Sequence, residues 1–217
     1  MRTYCKLILA ALAASALLAL AVGSASAGRF STNERNFELI WDEAISPFKT
    51  KFELIARSAG INVQCRLSLL GSFRESTITK TTGNNQGTIN HGALTECEGG
   101  SATIKQETFP WNLRYRSFVG SLPTIQRLST SILGFRLHIE SAETSCEATT
   151  EANHPGIGIV EGGLESSSEP ENMIGDRNAR IPLRGSFVCE FLGEGEFGGV
   201  GLMRNLPRTA KLRITLI

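Results

Sequence analysis

Beyond residue 28, apolar and polar positions alternate along most of the chain. In 61–69, Ile61, Val63, Cys65, Leu67 and Leu69 share one face, and Asn62, Gln64, Arg66 and Ser68 the other. A period of two is the pattern of a strand with one buried side. It recurs in 135–140, where Phe135, Leu137 and Ile139 interleave Arg136, His138 and Glu140. The closing residues repeat it, with Leu212, Ile214 and Leu216 against Lys211, Arg213 and Thr215. In 181–191 it predicts another strand, with Ile181, Leu183, Phe187, Cys189 and Phe191 on one face. Such alternation belongs to antiparallel sheets with one solvated side. Turn-forming clusters separate the runs at Gly83-Asn84-Asn85, Gly99-Gly100, Gly162-Gly163 and Gly198-Gly199.

Two stretches fit this period less simply. Phe37, Ile40, Trp41, Ala44 and Ile45 match a helical stripe with Asn33 as an N-cap, but Phe37, Leu39 and Trp41 match a strand, which is favoured. The run Phe52-Glu53-Leu54-Ile55 resembles Phe37-Glu38-Leu39-Ile40, as two paired strands would. Gly195-Glu-Phe-Gly-Gly-Val-Gly201 sets four glycines in a strand, the mark of a bulge or sharp bend. From about 161 to 180 the chain turns polar, with serines at 166–168, and predicts a mobile loop. The expected fold class is all-β: one antiparallel domain over 28–217 with roughly ten or more strands. A β-barrel is favoured over a β-sandwich, because closure removes exposed edges and Gly-rich bends suit corners.

Residues 1–27 carry the pattern of a secretory signal peptide. Arg2 and Lys6 precede an apolar run from Leu7 to Val22, and Ala25-Ser26-Ala27 supplies small residues for cleavage. That run of 16 residues is shorter than the roughly 20 needed to span a bilayer core. Cys5 lies before it rather than at the cleavage point, which argues against lipoprotein processing. Cleavage would move the formal charge from +1 to −1, leaving no basic excess to displace counterions from nucleic acid. No membrane-spanning helix is expected after cleavage. The expected location is secreted or in the cell envelope.

Four cysteines remain in that chain, an even number that suggests two disulfides in an oxidising compartment. Their wide separation does not match the close pairs of a zinc site, so no metal is expected. Cys65 and Cys189 both lie on apolar faces, which leaves a long-range bridge open. Neighbouring strands of a meander favour local pairing instead, Cys65–Cys97 and Cys146–Cys189.

Candidate chemistry centres on Phe109-Pro110-Trp111-Asn112-Leu113-Arg114-Tyr115-Arg116. As a strand it puts Trp111, Leu113 and Tyr115 on one face, and Asn112, Arg114, Arg116 and Phe118 on the other. The rings fit core packing best, or else a platform for a sugar or an apolar ligand. Trp111, Tyr115, Arg114 and Arg116 are accordingly the candidate ligand contacts. Asp42 and Asp176 are the only aspartates, which excludes repeated Asp-x-Asp calcium loops. His91, His138 and His154 have no nucleophile set beside them in sequence. No cofactor motif is present.

The runs Cys65-Arg-Leu-Ser-Leu-Leu-Gly-Ser-Phe73, Pro110-Trp111 to Pro123, and Ile181-Pro-Leu-Arg-Gly-Ser-Phe-Val-Cys189 resemble those of a group of uncharacterised secreted bacterial proteins. The resemblance implies a four-cysteine all-β extracellular protein and no activity. The expected function is a non-enzymatic β-domain binding an envelope component, a glycan or a small apolar ligand. The alternative is a secreted hydrolase using Glu carboxylates or a histidine.

Overall fold

The computed structural model describes residues 29–44, 50–121, 124–150, 156–161, 172–175, 179–206, 212 and 214–216. Residues 1–27, expected as a signal peptide, and His154 lie outside them. The first half contains β1 (Arg29–Thr32), β2 (Asn36–Trp41), β3 (Phe52–Ala56), β4 (Ile61–Phe73), β5 (Thr77–Thr79), β6 (Asn85–Glu98), β7 (Ser101–Ile104) and β8 (Trp111–Ser121). There follow β9 (Thr124–Leu133), β10 (Arg136–Glu140), β11 (Ser145–Thr149), β12 (Gly156–Glu161), β13 (Asn172–Gly175) and β14 (Ala179–Gly185). A six-residue helix, α1 (Phe187–Leu192), precedes β15 (Glu194–Gly198), β16 (Val200–Asn205) and β17 (Ile214–Leu216).

The fold is all-β and antiparallel. A 14-stranded sheet is organised around β4, whose 13 residues make it long enough to carry two partners end to end on one edge. Trp41 of β2 pairs with Leu67, and Phe52 of β3 with Cys65. The similar tetrapeptides of β2 and β3 therefore share β4 and do not pair with each other. From the other edge of β4 the pairing runs through β6, β8, β9, β12, β13 and β16 to β2, and so returns to β4. Those eight strands make a cyclic, barrel-like wall. From β3 the sheet continues through β15, β14, β11 and β10 to β7 as an open arm. A three-stranded sheet, β17-β1-β5, lies beside the wall and sends Phe30 against Tyr115 and Phe118, at ring distances of 5.7 and 5.6 Å.

The alternation of β4 explains why it forms the spine. Ile61, Val63, Cys65, Leu67, Leu69 and Phe73 are buried, whereas the intervening side chains are half-buried or exposed. The core continues through Phe37, Trp41, Phe52, Ile89, Trp111, Leu128, Leu137 and Ile181. β2 is covered on both faces, so its outward Glu38 is buried and needs compensation. Arg204 Nε donates to its carboxylate at 2.7 Å and Ser68 Oγ at 2.9 Å.

Three expectations change. The strand of 181–191 stops at Gly185, whose φ of +112° is costly for any residue with a Cβ. Ser186 then caps α1 by accepting from Cys189 N–H. Phe187 and Phe191 consequently face solvent instead of sharing a buried face with Ile181 and Leu183. Phe118 is also displaced: the β8–β9 register shifts between Tyr115 and Ser117, and this bulge returns Phe118 to the side of Tyr115. Finally, strand β13 interrupts the polar stretch expected as a loop over 161–180.

The glycine-rich run behaves as a bend. β15 and β16 meet at Gly199, where φ is +97° and the backbone passes close to Lys51 O. The bend takes the chain from the edge of β3 to the edge of β2. Both cysteine pairs form as expected. Cys65–Cys97 joins adjacent strands β4 and β6, and Cys146–Cys189 fastens α1 to β11.

Candidate functional site

Trp111 and Tyr115 belong to the core. Trp111 is 0% exposed, stacks on Phe109 at 4.4 Å, meets Phe135 at 4.7 Å and donates its indole N–H to Thr108 Oγ1 at 2.9 Å. Burial also raises the pKa of the Tyr115 phenol. No sugar ring can stack on surfaces so covered. Arg114 is half-buried and Arg116 exposed, on the opposite side of the strand. The four candidate contacts are thus divided between the two faces of one wall and do not converge.

The apolar cavities among the described residues are small. An apolar cavity between Trp41, Phe52, Leu67, Leu69, Phe135 and Ile181 has about 20 Å³ of free volume, room for about one water. An apolar ligand would have to displace side chains to enter there.

The hydrolase alternative requires convergent acids or an activated histidine. His138 meets Glu140 at 3.1 Å on the polar face of the open arm, and His91 is exposed beside Phe109. Across from His138 in register, Glu147 is held by Lys105 Nζ at 2.9 Å. That hydrogen bond, with the ammonium charge behind it, lowers the Glu147 pKa from its ordinary value of 4.5. The pair therefore contributes stability that is complete above 4.5 and lost as the pH falls through the lower, folded value. The two side chains are 35% and 32% exposed, so solvent screening keeps the contribution small. Urea melts of Glu147→Gln should show that small deficit at neutral pH and none once the carboxylate is protonated. A deficit undiminished in acid would assign the effect to packing.

Further carboxylates are engaged where β2, β3 and β6 flank β4. Asp42 pairs with Arg66 at 3.0 Å, Arg66 also meets Glu96 at 2.7 Å, and Lys51 bridges Glu43 and Glu98. The Glu98 hydrogen bond raises the Lys51 pKa. These contacts alternate in sign, as a network that holds strand edges together does. Among the described residues, no group of three His, Cys, Asp or Glu side chains is placed to hold a metal ion.

Two outer features are not absorbed by the fold. On α1, Phe187 is 84% exposed and Phe191 80%, with rings stacked at 6.2 Å and Val188 partly exposed beside them. Over 187–191 Cys189 is the buried residue, and its disulfide secures the segment to β11. The local signal for this helix was present: Gly185-Ser186 before it, Gly193 after it, and phenylalanines four residues apart. The second feature is a polar cavity of about 190 Å³ beside β5 and the start of β6.

No protein-family model, curated protein or solved structure matches the chain. The fold defines its class: an all-β antiparallel protein stapled by two disulfides.

Proposed function

We propose that this protein is a non-enzymatic binding domain that acts outside the cytoplasm and attaches to a lipid surface through Phe187 and Phe191. The observation that carries this reading is the exposed, stacked ring pair on a helix fixed by Cys146–Cys189. Two disulfides fit an oxidising, extracellular compartment, and the signal-like residues 1–27 fit export to it.

Size decides between a lipid and a protein partner. Two phenylalanines and part of a valine present a few hundred Å² at most, below the roughly 800 Å² per side of a stable protein interface. A fluid bilayer needs no complementary pocket, so two projecting rings can enter it directly. Burying them contributes about 3–5 kcal/mol, near the marginal binding given by one myristoyl chain. The attachment is weak and reversible. Glu190 lies on the same helix, and Arg184 on the strand before it, so no single sign of charge dominates and little salt dependence is expected.

Sedimentation with phosphatidylcholine vesicles tests the reading. Wild type should partition onto vesicles to the same extent at low and high salt. The double variant Phe187→Ser/Phe191→Ser should remain in the supernatant with an unchanged melting temperature, because neither ring supports the core. Failure of wild type to sediment with vesicles would overturn the proposal.

A further inference from the structure

A 3-10 turn, Arg57–Ala59, links β3 to β4 and packs against α1, which also rests on β14 and β11. The sequence fixes how this turn sits. Ala59 is buried, and Gly60 ends the turn in the left-handed region, at φ +66°, where its N–H donates to Arg57 O at 3.1 Å. Arg57 is left on the outside. It is exposed, and among the described residues it enters no ion pair, unlike Arg66, Arg180 and Arg204. Two exposed carboxylates lie in the neighbourhood without engaging it: Glu143, which covers Gly60, and Glu190 on α1 itself.

An open cation beside two projecting rings has a specific consequence at a lipid surface. Rings on an interfacial helix enter the boundary between headgroups and acyl chains, about 5–10 Å deep. The phosphate of a glycerophospholipid lies just outside that boundary. An arginine rooted next to the rings can lay its apolar stem along the interface and keep its guanidinium at the level of the phosphates. Cα atoms of the turn come within 8 Å of Cα atoms of α1, a gap that the length of an arginine side chain covers.

We propose that the lipid met by α1 is a glycerophospholipid, with Arg57 holding its phosphodiester while Phe187 and Phe191 enter the acyl boundary. The inference rests on the lipid reading and names the chemistry of its ligand. A guanidinium presents paired N–H donors that match two phosphate oxygens, so the contact is directional as well as charged. Glu143 and Glu190 offset Arg57 at longer range, and the helix is drawn to neither sign of membrane charge. Selectivity therefore comes from touching the phosphate and not from the field of the bilayer. Such a contact, made among headgroups, is screened less than separated charges in water, in keeping with a weak salt dependence. Free phosphate offers the same oxygens without the acyl chains that receive the rings, and so should not compete.

Sedimentation of the exported protein with two uncharged surfaces of matched acyl chains provides the test. Phosphatidylcholine vesicles carry the phosphodiester, and digalactosyldiacylglycerol vesicles have none. Arg57→Gln should partition onto phosphatidylcholine about threefold less than wild type, the scale of one exposed charged contact. On the galactolipid the two proteins should partition alike. The variant should melt with wild type, because the residue is exposed and supports no packing. Arg57→Lys should recover only part of the loss, since an ammonium lacks the fork. Arg116→Gln removes an equal charge from the exposed side of β8 and should change neither partition. Millimolar inorganic phosphate should leave the bound protein in place, and its release would overturn the assignment to a lipid headgroup. Equal partitioning of wild type and Arg57→Gln onto phosphatidylcholine would overturn the role of Arg57 and leave attachment by the rings standing. Failure of wild type to sediment with either surface would overturn the lipid reading, and this inference with it.

Discussion

Trp111→Ala should destabilise the protein by about 3–5 kcal/mol, the range for removing a large aromatic side chain from a packed core. The indole is wholly buried between Phe109 and Phe135, and its N–H is bonded to Thr108. Truncation would leave a cavity lined by those rings and a hydroxyl deprived of its donor. Neighbouring strands are tied by ladder hydrogen bonds and can collapse only slightly into the space. The fair comparison is Arg116→Ala on the same strand, whose exposed side chain should be worth no more than about 0.5 kcal/mol. Urea unfolding separates the two: Trp111→Ala should lower the midpoint without changing the slope, and Arg116→Ala should do neither appreciably. Comparable midpoints for both variants would show that the rings of β8 do not carry the core.

The same strand shows what alternation reveals and what it hides. Trp111, Leu113 and Tyr115 share the buried face that the period of two predicts. At Arg116 the bulge adds one residue, and the side chains up to the next register shift at Val119/Gly120 change face, so Phe118 returns inward. No count of apolar positions reveals such an insertion, because its cause is the register with β9. Gln86 is concealed for the same reason, as the bulge that buries it exists only through pairing with β8.

Helix α1 eluded the strand period by aliasing. Phe187, Cys189 and Phe191 are spaced by two, as in a strand, yet the two phenylalanines are also four apart, as on a helix. Over six residues the two periods cannot be told apart by hydrophobicity. The backbone decides through the positive φ of Gly185 and the cap supplied by Ser186. The all-β class, the local disulfide pairing and the strand over 61–69 were legible because each depends on long runs or wide spacings. The exposed face of α1 and the burial of Gln86 were not, because each arises where a run is broken.

The disulfides should each contribute about 4 kcal/mol, since they close loops with sequence separations of 32 and 43 residues. Set against a total stability of about 5–15 kcal/mol, loss of both would remove about half of it or more. Their local consequences should differ. Cys65 and Cys97 lie on strands that β4–β6 hydrogen bonds already hold together, so Cys65→Ala/Cys97→Ala should lower global stability and leave the sheet in register. Cys146–Cys189 secures a helix too short to persist on its own, with its two phenylalanines turned to solvent. In Cys146→Ala/Cys189→Ala, α1 should detach at temperatures where the sheet remains folded. Amide exchange across 187–192 should then accelerate far more than exchange across 61–73, and the Phe187–Phe191 stack should be lost with it. Uniform acceleration of both segments would mean that the helix unfolds only with the whole protein, and that the second disulfide is one more global restraint.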